Sequence, residues 1–554
     1  MAAPAPFEIS FRGRPLRVRP EETLLSALAA ERLPRVQRSI RYHRARGPFC
    51  GVGTCSQCLV RVNGQPNVRA CRYRPRPGDT VTTENSWPGP EWDLLAVLDL
   101  LFRRGIDTLH GFSRPAFARP AYHAVVRRLA GYGRMAEAAP PPPPQAPPLR
   151  CDTLVVGAGP AGRAAARRTA EGGREVVLLD RNPVAEPPDG VRTFAGAQAL
   201  FLPPPRTGAS PPLRLLAEID GAVRTVRADR ILLAPGGYDA GLWFPGSDRP
   251  GVMTGDGAVA LRAPPGPPPF RRALLVGGGT RALQMIERFG PSLAAVAAPG
   301  PVHGGIAERA AGLRIPVYPR TLLLEGIGRG RLRRVRLGPR GGGTPFDLPV
   351  DAAILAHRRL PNGPLFFQAG ARMRWVGSPG AYYPLLTAGG ATSVPGLFAA
   401  GEAAGFEGPE AAAASGRAAA DAALGRPAPE PPPGPPAAGP VVPELAGYYR
   451  ELFGRIPPVG PTCIACACED VTVGELAAAH RSGYRGIEVI KRYTGLGTGL
   501  CQGRYCVPEA LLLLSQWEQR PPPEVGYLTQ RPPVYPTPLA AFARATAEPS
   551  EEDR

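Results

Sequence analysis

Nine of the ten cysteines fall in two groups: Cys50, Cys55, Cys58 and Cys71 near the start, and Cys463, Cys466, Cys468, Cys501 and Cys506 near the end. Cys151 stands alone between them. Thiols stay free in a reducing compartment, so clustered cysteines point to metal rather than to disulfides. The first group reads Cys50-x4-Cys55-x2-Cys58, then twelve residues to Cys71. Three thiolates on one glycine-bearing loop, with a fourth from a neighbouring strand, wrap a [2Fe–2S] cluster, and this is the plant-type ferredoxin spacing. Gly51 and Gly53 let such a loop fold tightly and turn its N–H groups toward the cluster sulfurs. Tetrahedral zinc is the alternative, but zinc sites are usually built from paired C-x2-4-C knuckles, and this loop is asymmetric.

Glycines carry the second chemistry. The stretch CDTLVVGAGPAGRAAARRTAEGGREVVLLD runs from an apolar strand through Gly157, Gly159 and Gly162 into a small-residue helix, then to a second strand ending at Asp180. In a dinucleotide-binding unit the first glycine makes the turn, the second admits the pyrophosphate and the third lets helix and strand pack, while an acid about 20 residues on accepts from a ribose hydroxyl. A second unit, ALLVGGGTRALQMIERF, offers Gly277, Gly279 and Ala282, but the following strand, near LAAVAAP, ends without an acid. That leaves NAD(P) binding there open against a structural remnant of the same fold.

The elements needed to hold these residues are legible in outline. FEISFRGRPLRVRPEETLLSALAA alternates at strand spacing, turns at Gly13 and predicts a helix from near Glu21; VTVGELAAAHRSGY predicts a helix in the last module. The proline tracts at 138–148 and 426–440 read as extended spacers. A basic, aromatic segment at 92–133 is expected to pack on the middle domain. The resulting division is 1–85, a [2Fe–2S] ferredoxin-like domain; 86–149, a linker; 150–425, a flavoprotein domain with an inserted second nucleotide-binding unit; 426–445, a proline-rich linker; 446–520, a small helical domain; and 521–554, a tail. A chain of 554 residues exceeds a single core, which fits several domains.

Composition narrows the function classes. The formal charge is +20, yet there is one lysine, Lys491, and the arginines are scattered among 72 prolines and 68 glycines. A chain-wide bias explains this better than a nucleic-acid patch, so no nucleic-acid partner is expected. No apolar run reaches a membrane span and MAAPAPFEISFRG lacks the pattern of a signal peptide, so a cytoplasmic location is expected, with the periphery of the inner membrane as a variant. The histidines His43, His110, His123, His303, His357 and His480 accompany no nucleophile or carboxylate pair, and no catalytic residue is assigned. Cys463 reads as a free thiol beside the second cysteine group, and Cys151 as a small core residue.

Resemblance extends the reading. Cys466-x-Cys468, then thirty-two residues, then Cys501-x4-Cys506, with Glu469 after the first pair and the frame CQGRYC, resembles the small helical [2Fe–2S] domain of bacterioferritin-associated ferredoxin. SVPGLFAAGEAAG resembles the strand and turn that close over the flavin in two-dinucleotide-domain flavoproteins, with Gly401 and Glu402 meeting the ribityl chain; it argues for FAD at the first nucleotide site. RSIRYHRARG, HGFSRPAF, RPGVMTGDGA, PGLFAAGEAAG, GYRGIEVIKRYTGLG and RPPVYP occur in the order found in the alpha subunit of heterotetrameric sarcosine oxidase and its relatives, the FAD subunits of dye-linked proline and hydroxyproline dehydrogenases, hydrogen cyanide synthase and opine oxidase. The first cysteine module resembles the small iron–sulfur subunit of cyanide synthase, fused in front.

The resemblance implies an α/β multidomain chain: an N-terminal β-grasp [2Fe–2S] domain, a Rossmann-like flavoprotein core and a C-terminal helical [2Fe–2S] domain. It implies an oxidoreductase subunit acting on CH–NH donors, in which a D-amino-acid-oxidase-like flavoprotein beta subunit oxidises sarcosine, proline, hydroxyproline or glycine. This chain, with FAD and two [2Fe–2S] clusters, would pass electrons to a quinone, dye or electron-transfer protein, and an FMN at a subunit interface is left open. A self-contained NAD(P)H-dependent reductase and a non-enzymatic iron–sulfur scaffold are the contrasting readings. The chain stops soon after RPPVYPTPLAAFA, without the family's aminomethyltransferase-like domain, so no folate chemistry is expected. The stretch from Arg181 to Phe201 is short for the fold, which leaves FAD retention to be tested.

Overall fold

The computed structural model describes residues 5–33, 35–101, 117, 146–205, 212–262, 268–377, 379–427, 443–455 and 463–546. Most of both proline tracts and of the 92–133 segment, with His110 and His123, lie outside them. The chain forms two compact units: one comprises Met1–Ala139, Asp239–Arg359 and Pro443–Leu528, the other Pro140–Tyr238, Leu360–Val442 and Thr529–Arg554. The inserted nucleotide-binding segment is therefore grouped with both cysteine-bearing modules.

In the first unit, residues 5–86 build a five-stranded mixed sheet. Its order is Arg14–Val18, Phe7–Phe11, Thr80–Thr83, Leu59–Val62 and Gln65–Arg69, with the central pair Phe7–Phe11 and Thr80–Thr83 parallel. The helix Leu24–Ala30 has Leu24, Leu25, Ala27 and Leu28 each at most 1% exposed, and burial of each leucine contributes about 1.5–3 kcal/mol. It starts later than the expected Glu21. Glu22 closes a turn by accepting from Arg19 N–H, and Thr23 caps the helix by accepting from Ser26 N–H at 3.2 Å.

The inserted segment forms a parallel sheet ordered Val252–Thr254, Ala352–Leu355, Ala273–Val276, Leu293–Ala297 and Val317–Tyr318. The last module pairs Ile464–Cys466 with Val471–Thr472 and continues into the helices Val473–Arg481, Ile487–Thr494 and Val507–Glu518. A capping box between Thr472 and Glu475 starts the first of these where the pattern predicts it.

Buried charge ties the three segments of this unit together. Arg46, 1% exposed, pairs with Asp248 of the inserted segment and Asp470 of the last module. Asp470, fully buried, also accepts from the backbone N–H groups of Arg41 at 2.9 Å and Tyr42 at 3.2 Å. Arg41 reaches Glu475 at 2.7 Å, and Arg44 reaches Asp99 at 2.8 Å. All three arginines belong to RSIRYHRARG.

In the second unit, the sheet runs Arg192–Ala195, Val176–Asp180, Leu149–Val156, Ala222–Leu233, Leu213–Ile219, Gln198–Phe201, and Leu397–Ala399 pairs in parallel with Ala222–Leu233. The helices Pro160–Glu171 and Pro409–Ala423 pack through alanines, Ala161, Ala165 and Ala166 against Ala412, Ala419 and Ala420. A Cβ on Gly416 would stand 2.1 Å from the Ala161 carbonyl oxygen, so their backbones touch.

Removing one member of a buried ion pair strands the other, at a cost of about 3–5 kcal/mol. Asp470→Ala is therefore expected to lower the first thermal transition of the iron-loaded chain in calorimetry. An unchanged transition would mean that the Arg46 network does not hold the unit.

Candidate iron–sulfur centres and nucleotide sites

The first cysteine loop is shaped by its glycines and seated on a helix. Gly51 and Gly53 take φ of +64° and +74°, in the left-handed region that side chains resist. A Cβ on Gly51 would meet Ala260 Cβ at 2.5 Å, and one on Gly257 would meet the Phe49 carbonyl oxygen at 2.0 Å. The loop thus lies directly on the helix Gly255–Leu261, and Phe49 O accepts from Thr254 N–H at 3.1 Å. Cys58 and Cys71 are held together by Ala70 N–H donating to Cys58 O at 3.0 Å.

The four thiols converge. Cys50 contacts Cys55 and Cys71, and Cys71 also contacts Cys58. All four are at most 5% exposed. Burial pushes Cys50 up, but hydrogen bonds from Cys55, Cys71, the Val52 amide and the Thr54 hydroxyl outweigh it and hold this thiol well below the ordinary range. Cys55 and Cys71 are pushed up in turn, first by donating to Cys50. Such a shared-proton set suits metal ligation, which replaces the protons and makes every member a thiolate.

The second set repeats the pattern. Cys466 contacts Cys468 and Cys506; Cys501 contacts Cys468 and Cys506. Hydrogen bonds from Cys468 and Cys506, together with the Tyr505 amide, hold Cys501 well below the ordinary range, while the bond to Cys468 and burial push Cys466 up to about 12. A Cβ on Gly499 would stand 2.4 Å from Cys468 Cβ and 2.7 Å from Glu469 Oε1, so the glycine of GLCQGRYC lets the two cysteine loops lie against each other. Cys463 is outside this circle, buried beside Tyr448 and Asp248.

Among the described residues, no group of three or more His, Cys, Asp or Glu is arranged as for one metal ion. Each set instead brings four thiols into one connected group, the number that a [2Fe–2S] cluster takes.

The two sets are neighbours. A cavity of about 40 Å³, room for a water, is lined by Cys55 on one side and by Cys466, Cys468, Cys501 and Cys506 on the other. Ser56 donates to Cys468, and Thr54 Oγ1 lies 2.6 Å from Tyr505 Oη. Neither Thr54, Ser56 nor Tyr505 is singled out by spacing; Tyr505 was visible only as part of the frame CQGRYC.

In the second unit, Gly157 takes φ of +104° and Gly159 begins the helix Pro160–Glu171 without a side-chain cap. A Cβ on Gly157 would lie 2.1 Å from Ala234 O and one on Gly162 1.7 Å from Gly157 O, whereas one on Gly159 would meet nothing within 4 Å. The turn is therefore closed behind and open in front, with uncapped helix N–H groups facing the space, which fits a pyrophosphate. Asp180 accepts from Ala158 N–H at 2.6 Å and Asn182 N–H at 2.7 Å, bracing the glycine loop as well as facing it. Gly401, φ +70°, comes within reach of the same helix: its Cβ would stand 2.9 Å from Ala161 Cβ. Glu402 accepts from Gly237 N–H at 2.9 Å. Cys151 lies in the adjoining strand with its thiol pushed up to about 12 by burial.

At the inserted unit, Gly277 and Gly279 adopt the same turn, and the helix Thr280–Phe289 follows. Arg281 in its first turn is bound to Asp239 at 2.9 Å and to Asp256 at 2.7 Å. His303 N–H donates to Gly278 O, and a Cβ on Gly278 would stand 2.6 Å from Pro301 O, so the loop after the second strand folds back onto the glycines. His357, behind this turn, has its pKa lowered to about 3 by burial.

Residues 5–86 match the 2Fe-2S iron-sulfur cluster binding domain, and residues 464–546 match the sarcosine oxidase A3 domain. Sarcosine oxidase subunit alpha of Rhizobium meliloti is 28% identical over 98% of this chain, which spans 58% of that protein's length. Hydrogen cyanide synthase subunit HcnA of Pseudomonas aeruginosa is 40% identical over 15% of this chain and 78% of its own length. The crystal structure of L-proline dehydrogenase from P. horikoshii superposes with a TM-score of 0.68 at 19% identity, covering 97% of each chain, and shares the flavoprotein fold. Over nearly its whole length this chain is similar to sarcosine oxidase subunit alpha, and at its front to hydrogen cyanide synthase subunit HcnA, both of them oxidoreductase subunits.

Proposed function

We propose that the chain is the electron-transfer subunit of a complex that oxidises a secondary amine or amino acid, with substrate oxidation in a partner flavoprotein subunit. The observation that carries this reading is the adjacency of two four-cysteine sets within one compact unit, each set converging into one group. FAD exchanges two electrons while a [2Fe–2S] centre passes one, so two centres can split a pair. The protein's part is to bury the cysteines, to aim amides of Val52, Gln57, Gly497 and Tyr505 at their sulfurs, and to keep the Gly159 turn open for the flavin nucleotide. Those N–H groups favour the more negative, reduced centre, as hydrogen bonds to cluster sulfurs raise reduction potential.

The relatives are subunits of oxidases, which supports assigning the amine to a partner, a D-amino-acid-oxidase-like flavoprotein, and the electrons to a quinone, dye or protein acceptor. For the inserted unit, the pairing of Arg281 with two aspartates and the missing ribose acid favour a structural role over NAD(P) binding. An FMN between subunits would belong to the complex.

Three measurements test this. The purified chain is expected to carry about four irons, about four sulfides and one FAD, and Cys506→Ala to retain about half of the iron; a full complement in that variant would remove the second centre. Gly159→Val, whose Cβ meets open space, is expected to fold and keep its iron while losing more than about tenfold in FAD affinity. Unchanged FAD content there would place the cofactor elsewhere. NADH added to the anaerobic chain is expected to leave the flavin oxidised, whereas rapid bleaching would make the chain a reductase in its own right.

A further inference from the structure

Tyr505 is the residue that touches both cysteine sets. Its amide N–H donates to the Cys501 sulfur, and its backbone joins Cys506 directly. Its ring stands edge-on to Phe49, centroids 5.2 Å apart at 84°, and its hydroxyl reaches Thr54 Oγ1 at 2.6 Å. Thr54 in turn donates to the Cys50 sulfur. Either oxygen can donate in the 2.6 Å contact; with the single Thr54 proton turned to the Cys50 sulfur, the donor to Thr54 is Tyr505. The result is a directed line, Tyr505 O–H to Thr54 O–H to Cys50 sulfur, starting from a residue whose own amide holds Cys501. Tyr505 is half-buried. A phenol placed between two sets of thiols, where a phenylalanine would fill the same space, calls for a reason beyond packing.

We propose that Tyr505 is a positioning residue for electron exchange between the two iron–sulfur centres, orienting the Thr54 hydroxyl onto Cys50 so that the N-terminal centre is more easily reduced than it would be without the phenol hydroxyl. This rests on the reading that both cysteine sets hold [2Fe–2S] clusters. With both clusters bound, the step it would serve is the exchange of one electron between the two centres, in which no bond to the protein would break and no proton would transfer. Polarised by Tyr505, the Thr54 hydroxyl is a stronger donor, and a stronger hydrogen bond to a ligand sulfur stabilises the reduced centre. Ser56, which donates to Cys468, makes a second short contact across the same gap.

The test is a potentiometric titration of the full chain followed by electron paramagnetic resonance, with each signal assigned by its loss in Cys50→Ser or Cys501→Ser. Tyr505→Phe keeps the amide and the ring and removes the hydroxyl. Its N-terminal centre is expected to become harder to reduce, the reduced-to-oxidised ratio at fixed potential falling by up to about tenfold, about 59 mV for one electron. The C-terminal centre is expected to stay within about a fifth of that shift. Thr54→Val should reproduce the change and Thr54→Ser should restore it, which a purely structural role would not. Two centres in the parent chain with unaltered potentials in both Tyr505→Phe and Thr54→Val would overturn the inference alone. A parent chain with one signal and about two irons would overturn the two-cluster reading on which it stands.

Discussion

The buried guanidinium of Arg46, held between Asp248 and Asp470, is the constraint on which the first unit depends. Its partners lie 202 and 424 residues away along the chain. A charge that is 1% exposed cannot be left alone, because water is not there to solvate it. Each carboxylate must therefore arrive with its segment in one position, or the arrangement costs several kcal/mol. Asp470 is two residues from Cys468 and Arg46 four from Cys50, so satisfying this charge also sets where the two cysteine loops stand. Hydrophobic packing would tolerate a small slide between modules; two carboxylate–guanidinium contacts on one buried side chain do not.

Close approach follows from what the sequence omits at a few positions. Gly51, Gly257 and Gly499 each stand where a Cβ would collide with backbone or cysteine atoms, and the loops nest because it is missing. In the second unit the same device leaves room for the proposed flavin nucleotide: Gly157 and Gly162 are consumed by packing, whereas Gly159 faces open space. One glycine pattern thus separates into two structural roles and one binding role. The inserted unit has the same turn, but Arg281 is neutralised and the neighbouring loop rests on Gly278.

Local patterns were readable from the sequence because they report local physics. Strand alternation in FEISFRG, the glycine turns at Gly157 and Gly277, and the helix pattern of VTVGELAAAHRSGY all lead to the elements observed. The helix expected at Glu21 begins at Leu24 because Glu22 is taken by a turn and Thr23 by the cap, a competition between side chains that periodicity does not register. RSIRYHRARG was noticed for its resemblance; that its arginines would be spent on Asp99, Asp248, Asp470 and Glu475 required the fold. The nearness of the two cysteine groups was equally out of reach, since nothing in the spacing links Thr54 to Tyr505. The grouping of Asp239–Arg359 with both cysteine modules had no counterpart in the linear division of domains.

The central claim is that two [2Fe–2S] centres sit side by side in one unit. Low-temperature electron paramagnetic resonance of the fully dithionite-reduced chain tests it most directly, because two half-integer spins so close must interact. Two spins per chain, with splitting or fast relaxation that vanishes when either cysteine set is mutated, is the predicted result. Two sharp, independent signals that saturate with microwave power as isolated centres do would contradict the account.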